Sequence, residues 1–168
     1  MDRTTPSLVI AAALLAGCGH GDSGSASSSA IARVGNPAPD WVEPSIPGPT
    51  LSLASLRGKP VYLNFFATWC PPCIEEAPSI DALARAYGPR AAVVGVDVLE
   101  SAHKAAAFRA SHHLSYPIVT DTGTLRRQYE VNGLPVHVFI DRGGVVRKIV
   151  VGELSPASMR ANLESLLR

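Results

Sequence analysis

The residues best equipped for chemistry are Cys70 and Cys73, in the run Trp69-Cys70-Pro71-Pro72-Cys73. Two cysteines at this spacing can close a small disulfide ring. In the reduced form they offer a nucleophile, because thiolate and not thiol attacks a disulfide. If the pair lies between a buried strand and the start of a helix, Cys70 faces the free N–H groups and the positive dipole end of that helix. There a thiol pKa falls from about 8.5 into a range of roughly 3.5–7.5. Cys70 is then the expected nucleophile, and Cys73, one turn in and less exposed, the resolving thiol. Pro71 and Pro72 donate no backbone hydrogen bond and stiffen the turn. Two other uses of the pair carry less weight. A zinc site would want a second pair, whereas Cys18 is remote and His103, His112, His113 and His137 are scattered. An inert staple is possible in an exported protein, but a strand–Cys-x-x-Cys–helix placement joins no distant elements.

The elements that must position this pair are legible from periodicity. Residues 61–67 are apolar nearly throughout, with β-branched and aromatic members, and read as a central strand buried on both faces. Residues 74–87 carry apolar side chains at helical spacing, end at Gly88-Pro89, and contain Pro78, which predicts a kink. Strands are expected at 91–98, 116–120, 136–140 and 145–151, and helices at 102–112, 125–130 and from Pro156 to Leu167. Arg142-Gly143-Gly144 marks a hairpin turn. The proline-rich residues 36–41 and 44–49 should be extended. This alternation implies an α/β fold with a mixed central sheet covered by helices on both faces.

Composition narrows the class. The chain has 168 residues, a net charge of +1, 46% hydrophobic and 17% charged residues, and three cysteines. The charge gives no reason to expect nucleic acid. The aliphatic content excludes a disordered chain, and the cysteines are too few for a disulfide framework. At the N-terminus an uncharged apolar run, residues 8–17, is shorter than the ~20 residues that span a membrane. It ends in Leu15-Ala16-Gly17-Cys18 and resembles the bacterial lipoprotein signal, in which the cysteine is lipidated. The domains expected are a signal over residues 1–17, a flexible Gly/Ser-rich tether over 18–35, and a folded domain over 36–168.

Residues 36–168 resemble the thioredoxin superfamily, specifically its exported TlpA/ResA-like branch. Leu56-Arg57-Gly58-Lys59-Pro60 leads into the strand and Trp69-Cys70, Cys73-Ile74-Glu75-Glu76-Ala77-Pro78 resembles the branch's Cys-x-x-Glu-x-Pro, and Gly133-Leu134-Pro135 followed by Phe139-Ile140-Asp141 resembles its cis-proline segment. The resemblance implies a thioredoxin-like fold, a redox-active Cys70–Cys73 disulfide and a cis Leu134–Pro135 bond packed against it. It also implies that the Leu134 backbone, with Pro71 and Pro72, receives a client strand. Trp69 is expected at the rim of the site. Glu76, about one helical turn after Cys73, is the acid/base candidate, and partial burial should raise its pKa. Asn64 departs from cytosolic thioredoxins, which carry a buried acid there, so deprotonation of Cys73 falls to Glu76 or water. His137 reads as a packed or partner-bonded histidine.

The resemblance therefore implies an extracytoplasmic thiol–disulfide oxidoreductase, lipid-anchored through Cys18. Reduction of client protein disulfides is the favoured direction, for example in cytochrome c maturation or envelope thiol homeostasis. Expected partners are client disulfides or thiols and a membrane thiol-electron donor. No cofactor and no metal are expected, and the chain should be a monomer. The alternatives are a disulfide-forming oxidant of the same fold, or a lipid-anchored metal, haem or client-binding module without turnover. Copper proteins of related fold use Cys-x-x-x-Cys, one residue longer than the spacing here. A thiol peroxidase of this fold would need Thr three residues before its cysteine, where Ala67 stands.

Overall fold

The structure, a computed structural model, describes Met1 and residues 30–168. Residues 2–29, on which the expected signal beyond Met1, Cys18 and most of the expected tether fall, lie outside the described residues. Among the described residues no helix is long and apolar enough to cross a membrane.

Strand β3, Val61–Phe66, is buried along its whole length, as its unbroken apolar run demands. It pairs in parallel with β4, Ala92–Val98, which pairs in parallel with β5, Ile118–Asp121. On its other side β3 pairs antiparallel with β6, Val136–Ile140, and β6 with β7, Val146–Val151. Two further strands, β1 (Val42–Ile46) and β2 (Thr50–Ser52), give a seven-stranded sheet in the order β2-β1-β5-β4-β3-β6-β7. The proline pattern predicts extended chain at 36–41 and 44–49, not a hairpin, and it says nothing of residues 50–52. The prolines mask the strand signal, and the chain reverses over cis Ile46–Pro47 and Gly48, whose φ of +112° suits glycine.

Because side chains alternate along a strand, the sheet has two cores. Tyr62, Phe66 and Phe139 face α1 (Pro71–Tyr87), α2 (Ala102–Ser111) and α4 (Pro156–Ser165). Val61, Leu63, Phe65, Val136 and Val138 face α3 (Thr124–Gln128) and the N-terminal segment. That segment docks earlier than Asn36. Ala32 is buried and donates its N–H to Gln128 O at 2.7 Å, and Gly35 donates to Val146 O at 2.8 Å.

Helix α1 begins at Pro71, not at residue 74, with Cys70 as its N-cap. Prolines fit its first turn because the N–H they lack would have no helical acceptor there. The first helical bond runs from Ile74 N–H to Cys70 O at 3.1 Å. The helix passes through Pro78 and continues to Tyr87.

The start of α3 is held by one buried carboxylate. Asp121 Oδ1 accepts the N–H groups of Gly123 and Leu125 at 2.9 Å each, and Oδ2 accepts that of Arg126 at 2.8 Å. Asp121→Ala would leave these donors without an acceptor, so it should cost about 2 kcal/mol or more in urea unfolding.

Candidate active site

The Cys pair sits where β3 gives way to α1. Cys70 and Cys73 are joined by a disulfide, with Cα atoms 5.3 Å apart. Cys70 is 4% exposed and Cys73 is buried deeper, whereas Trp69 beside them is 68% exposed. Cys70 N–H donates to Ala67 O at 3.1 Å, closing the turn between strand and helix. That turn is pinned from β4's side. Glu100 accepts Thr68 N–H at 2.6 Å and Thr68 Oγ1–H at 3.0 Å, and Lys104 reaches it at 3.3 Å. Burial opposes the ionisation of Glu100, but these donors outweigh it and hold its carboxyl below the usual range. Behind it lies Asp97, fully buried, whose carboxyl is pushed up to about 7 by burial first and then by the charge of Glu100.

Neither Glu100 nor Asp97 stood out in the sequence. The one signal available was position: acids at the carboxyl end of a buried parallel strand, where sites of α/β sheets gather.

Two cavities flank the N-terminus of α1. The first, about 420 Å³, brings together Trp69, Cys70, Pro71, Pro72 and Leu134, with Leu99, Arg126 and Val131 on its far wall. The Leu134–Pro135 bond is cis, and Pro135 is buried. Of the site residues the sequence singled out, Cys73, Glu76 and Pro135 do not line the first cavity. Glu76 opens instead on the second cavity, about 430 Å³, between α1 and the segment 153–156 that leads into α4.

Glu76 is 8% exposed. Its Oε1 accepts Leu154 N–H at 2.5 Å, and its Oε2 lies 3.5 Å from His137 Nε2. Burial pushes its carboxyl up to about 7; the Leu154 bond opposes this and the charge of Glu153 adds to it. His137, on β6 directly opposite Asn64 of β3, is 0% exposed. Tyr62 Oη lies 2.8 Å and Asn64 Nδ2 3.4 Å from His137 Nδ1, and His137 Nε2 lies 3.1 Å from Gly152 O. Burial holds His137 down to about 4, so it is neutral near pH 7. Among the described residues no group of three or more His, Cys, Asp or Glu side chains is placed to hold a metal ion.

The comparisons with known proteins agree with this geometry. The model of the AhpC/TSA family matches residues 34–149. This chain belongs to that family. It is 35% identical to the thiol-disulfide oxidoreductase ResA of Geobacillus thermodenitrificans, over 79% of this chain and 78% of the relative. A thioredoxin-family thiol:disulfide interchange protein of Chlorobium tepidum superposes with a TM-score of 0.74 at 32% identity, covering 83% of this chain and all of that one. The exposed lipoprotein thioredoxin of Streptococcus pneumoniae superposes at 0.64 with 29% identity, covering 76% and 99%. The AhpC/TSA-family chain is thus a thiol–disulfide oxidoreductase of the thioredoxin fold, as the motifs around Cys70 implied.

The raised pKa of Glu76 has a sign that stability must follow. Between about 4.5 and about 7 the folded chain holds a proton on Glu76 that the unfolded chain has released. Its contribution to stability is therefore full below pH 4.5 and is lost as pH rises through 7. One such proton gives a slope of at most about 1.4 kcal/mol per pH unit. Glu76→Gln should flatten the fall of unfolding free energy between pH 5 and 8, leaving the part due to Asp97, which has the same sign.

Proposed function

We propose that this family member is an extracytoplasmic reductase of protein disulfides, anchored to the bacterial cell membrane through lipid on Cys18. The observation that carries the reading is the placement of Cys70 as N-cap of α1, at the edge of the groove that Leu134, the residue before cis Pro135, lines. The anchoring rests on the apolar run ending at Cys18 and on the likeness to a streptococcal protein described as a lipoprotein.

In the reduced enzyme the Cys70 thiolate attacks one sulfur of a client disulfide, and the other client sulfur leaves as a thiolate. Trp69, Pro71, Pro72 and the Leu134 backbone hold the client segment in the groove. Cys73 then passes its proton to Glu76 and attacks the Cys70 sulfur. The second client thiolate departs, and both client thiolates take up protons from water. The client has gained two electrons and two protons, and the enzyme holds the Cys70–Cys73 disulfide, the state seen here. A membrane thiol-electron donor restores the dithiol. Asn64 cannot carry the Cys73 proton. Glu76, open to the second cavity, can return it to water. The client chemistry fits apocytochrome cysteines or mis-paired exported proteins alike.

The direct test is capture in the native envelope. Cys73→Ser should accumulate client mixed disulfides through Cys70, visible as thiol-sensitive high-mass bands, and Cys70→Ser should accumulate none. Equal absence from both variants contradicts the exchange mechanism.

A further inference from the structure

His137 is a buried titratable group that the mechanism above leaves unused. Its surroundings determine its tautomer. Nε2 faces the carbonyl of Gly152, which only accepts, so Nε2 carries the proton. Nδ1 is then an acceptor, and it has two donors in place, Tyr62 Oη–H and Asn64 Nδ2–H. Glu76 Oε2 is a buried carboxyl oxygen with no hydrogen-bond partner in this state, and the Nε2 of His137 lies 3.5 Å away.

We propose that His137 is a positioning residue for Glu76: its Nε2–H, oriented by Tyr62, Asn64 and Gly152, is the donor that holds Glu76 as a carboxylate ready for the Cys73 proton. This rests on Glu76 taking that proton, as proposed above. When Glu76 is protonated, Nε2–H stays on Gly152 O; when Glu76 ionises, a small tilt of the ring shares it with Oε2. A hydrogen bond to the ionised form lowers a carboxyl pKa, so His137 opposes the burial that raises it. Gly152 couples this to the client groove, because its N–H donates to Pro135 O at 2.9 Å while its carbonyl faces His137. Asn64 has a reason here as well. An acid at 64 would draw the proton to Nδ1 and leave Nε2 as a lone pair facing Oε2. The amide avoids that.

The titratable groups around Glu76 are Cys73 and Glu75 on α1, Glu153 before α4, Tyr62 on β3 and His137 on β6. Of these, His137 Nε2–H is the donor placed toward Oε2.

The test is the pH profile of the resolving step in the full chain. The reduced protein is mixed with 5,5′-dithiobis(2-nitrobenzoate), which loads Cys70, and the release of the second nitrothiobenzoate reports attack by Cys73. The wild-type rate should rise with pH through the ionisation of Glu76, and Glu76→Gln should remove that limb. His137→Leu should move the limb up by about one pH unit, a tenfold change in the ionisation equilibrium. His137→Gln, which keeps a donor, should restore it. His137→Leu in the Glu76→Gln background should add no shift. His137→Met removes the donor with similar volume if the leucine variant does not fold. A limb that Glu76→Gln removes and that neither His137→Leu nor His137→Met moves overturns this proposal alone. A limb that survives Glu76→Gln overturns the role of Glu76, and this proposal with it.

Discussion

What the Cys70 sulfur can do depends on its place at the N-cap of α1. A thiolate there faces the helix dipole and the Cys73 N–H, the first that the helix offers after Pro71 and Pro72. The surrounding structure maintains that place from three sides. β3 is buried on both faces and fixes the height at which the chain leaves the sheet. Glu100 holds the Thr68 turn by two hydrogen bonds. On the far side, the segment leading into β6 presents Leu134 to the same groove that Cys70 borders.

The second half of the site is a polar circuit on the face of the sheet that α1 covers. Glu76, His137, Tyr62 and Asn64 come from α1, β6 and β3, and meet because β6 lies antiparallel beside β3 with Asn64 opposite His137. Buried polar groups are tolerated when each finds a partner. In this circuit one carboxyl oxygen lacks one, and it belongs to Glu76, to which the proposed mechanism assigns a proton. In the proposed mechanism the two cavities divide the labour: client sulfur approaches Cys70 from one, and the proton of Cys73 leaves through the other.

Much of this was legible in the residues themselves. The apolar run at 61–67, the helical spacing after Cys73 and the Gly-Gly turn at 143–144 report local physics, and they place Cys70, Cys73 and the β6–β7 hairpin correctly. Pro71 and Pro72 misled the helix start, because a proline that breaks a helix interior is compatible with its first turn. The hairpin at 42–52 was hidden by prolines. Contacts set by topology left no local mark: Glu100 under Thr68, or His137 beside Glu76, are 32 and 61 positions apart and depend on which strands become neighbours. The docking of Ala32 on α3 is of the same kind.

Direction follows from how strongly the reduced form is stabilised, since a well-stabilised thiolate makes an oxidant. An N-cap group accepts from the N–H of the second or third helical residue. Here the second is Pro72, which has none, so the Cys73 N–H is the single backbone donor of the pair, and Cys70 has no side-chain cap bond. The measurement that tests the account most directly is therefore the equilibrium reduction potential of Cys70–Cys73, taken against glutathione and dithiothreitol buffers. The account predicts a value near or below roughly −270 mV, that of a reductant needing a dedicated electron supply. A value near roughly −120 mV, that of a strong oxidant, would contradict it.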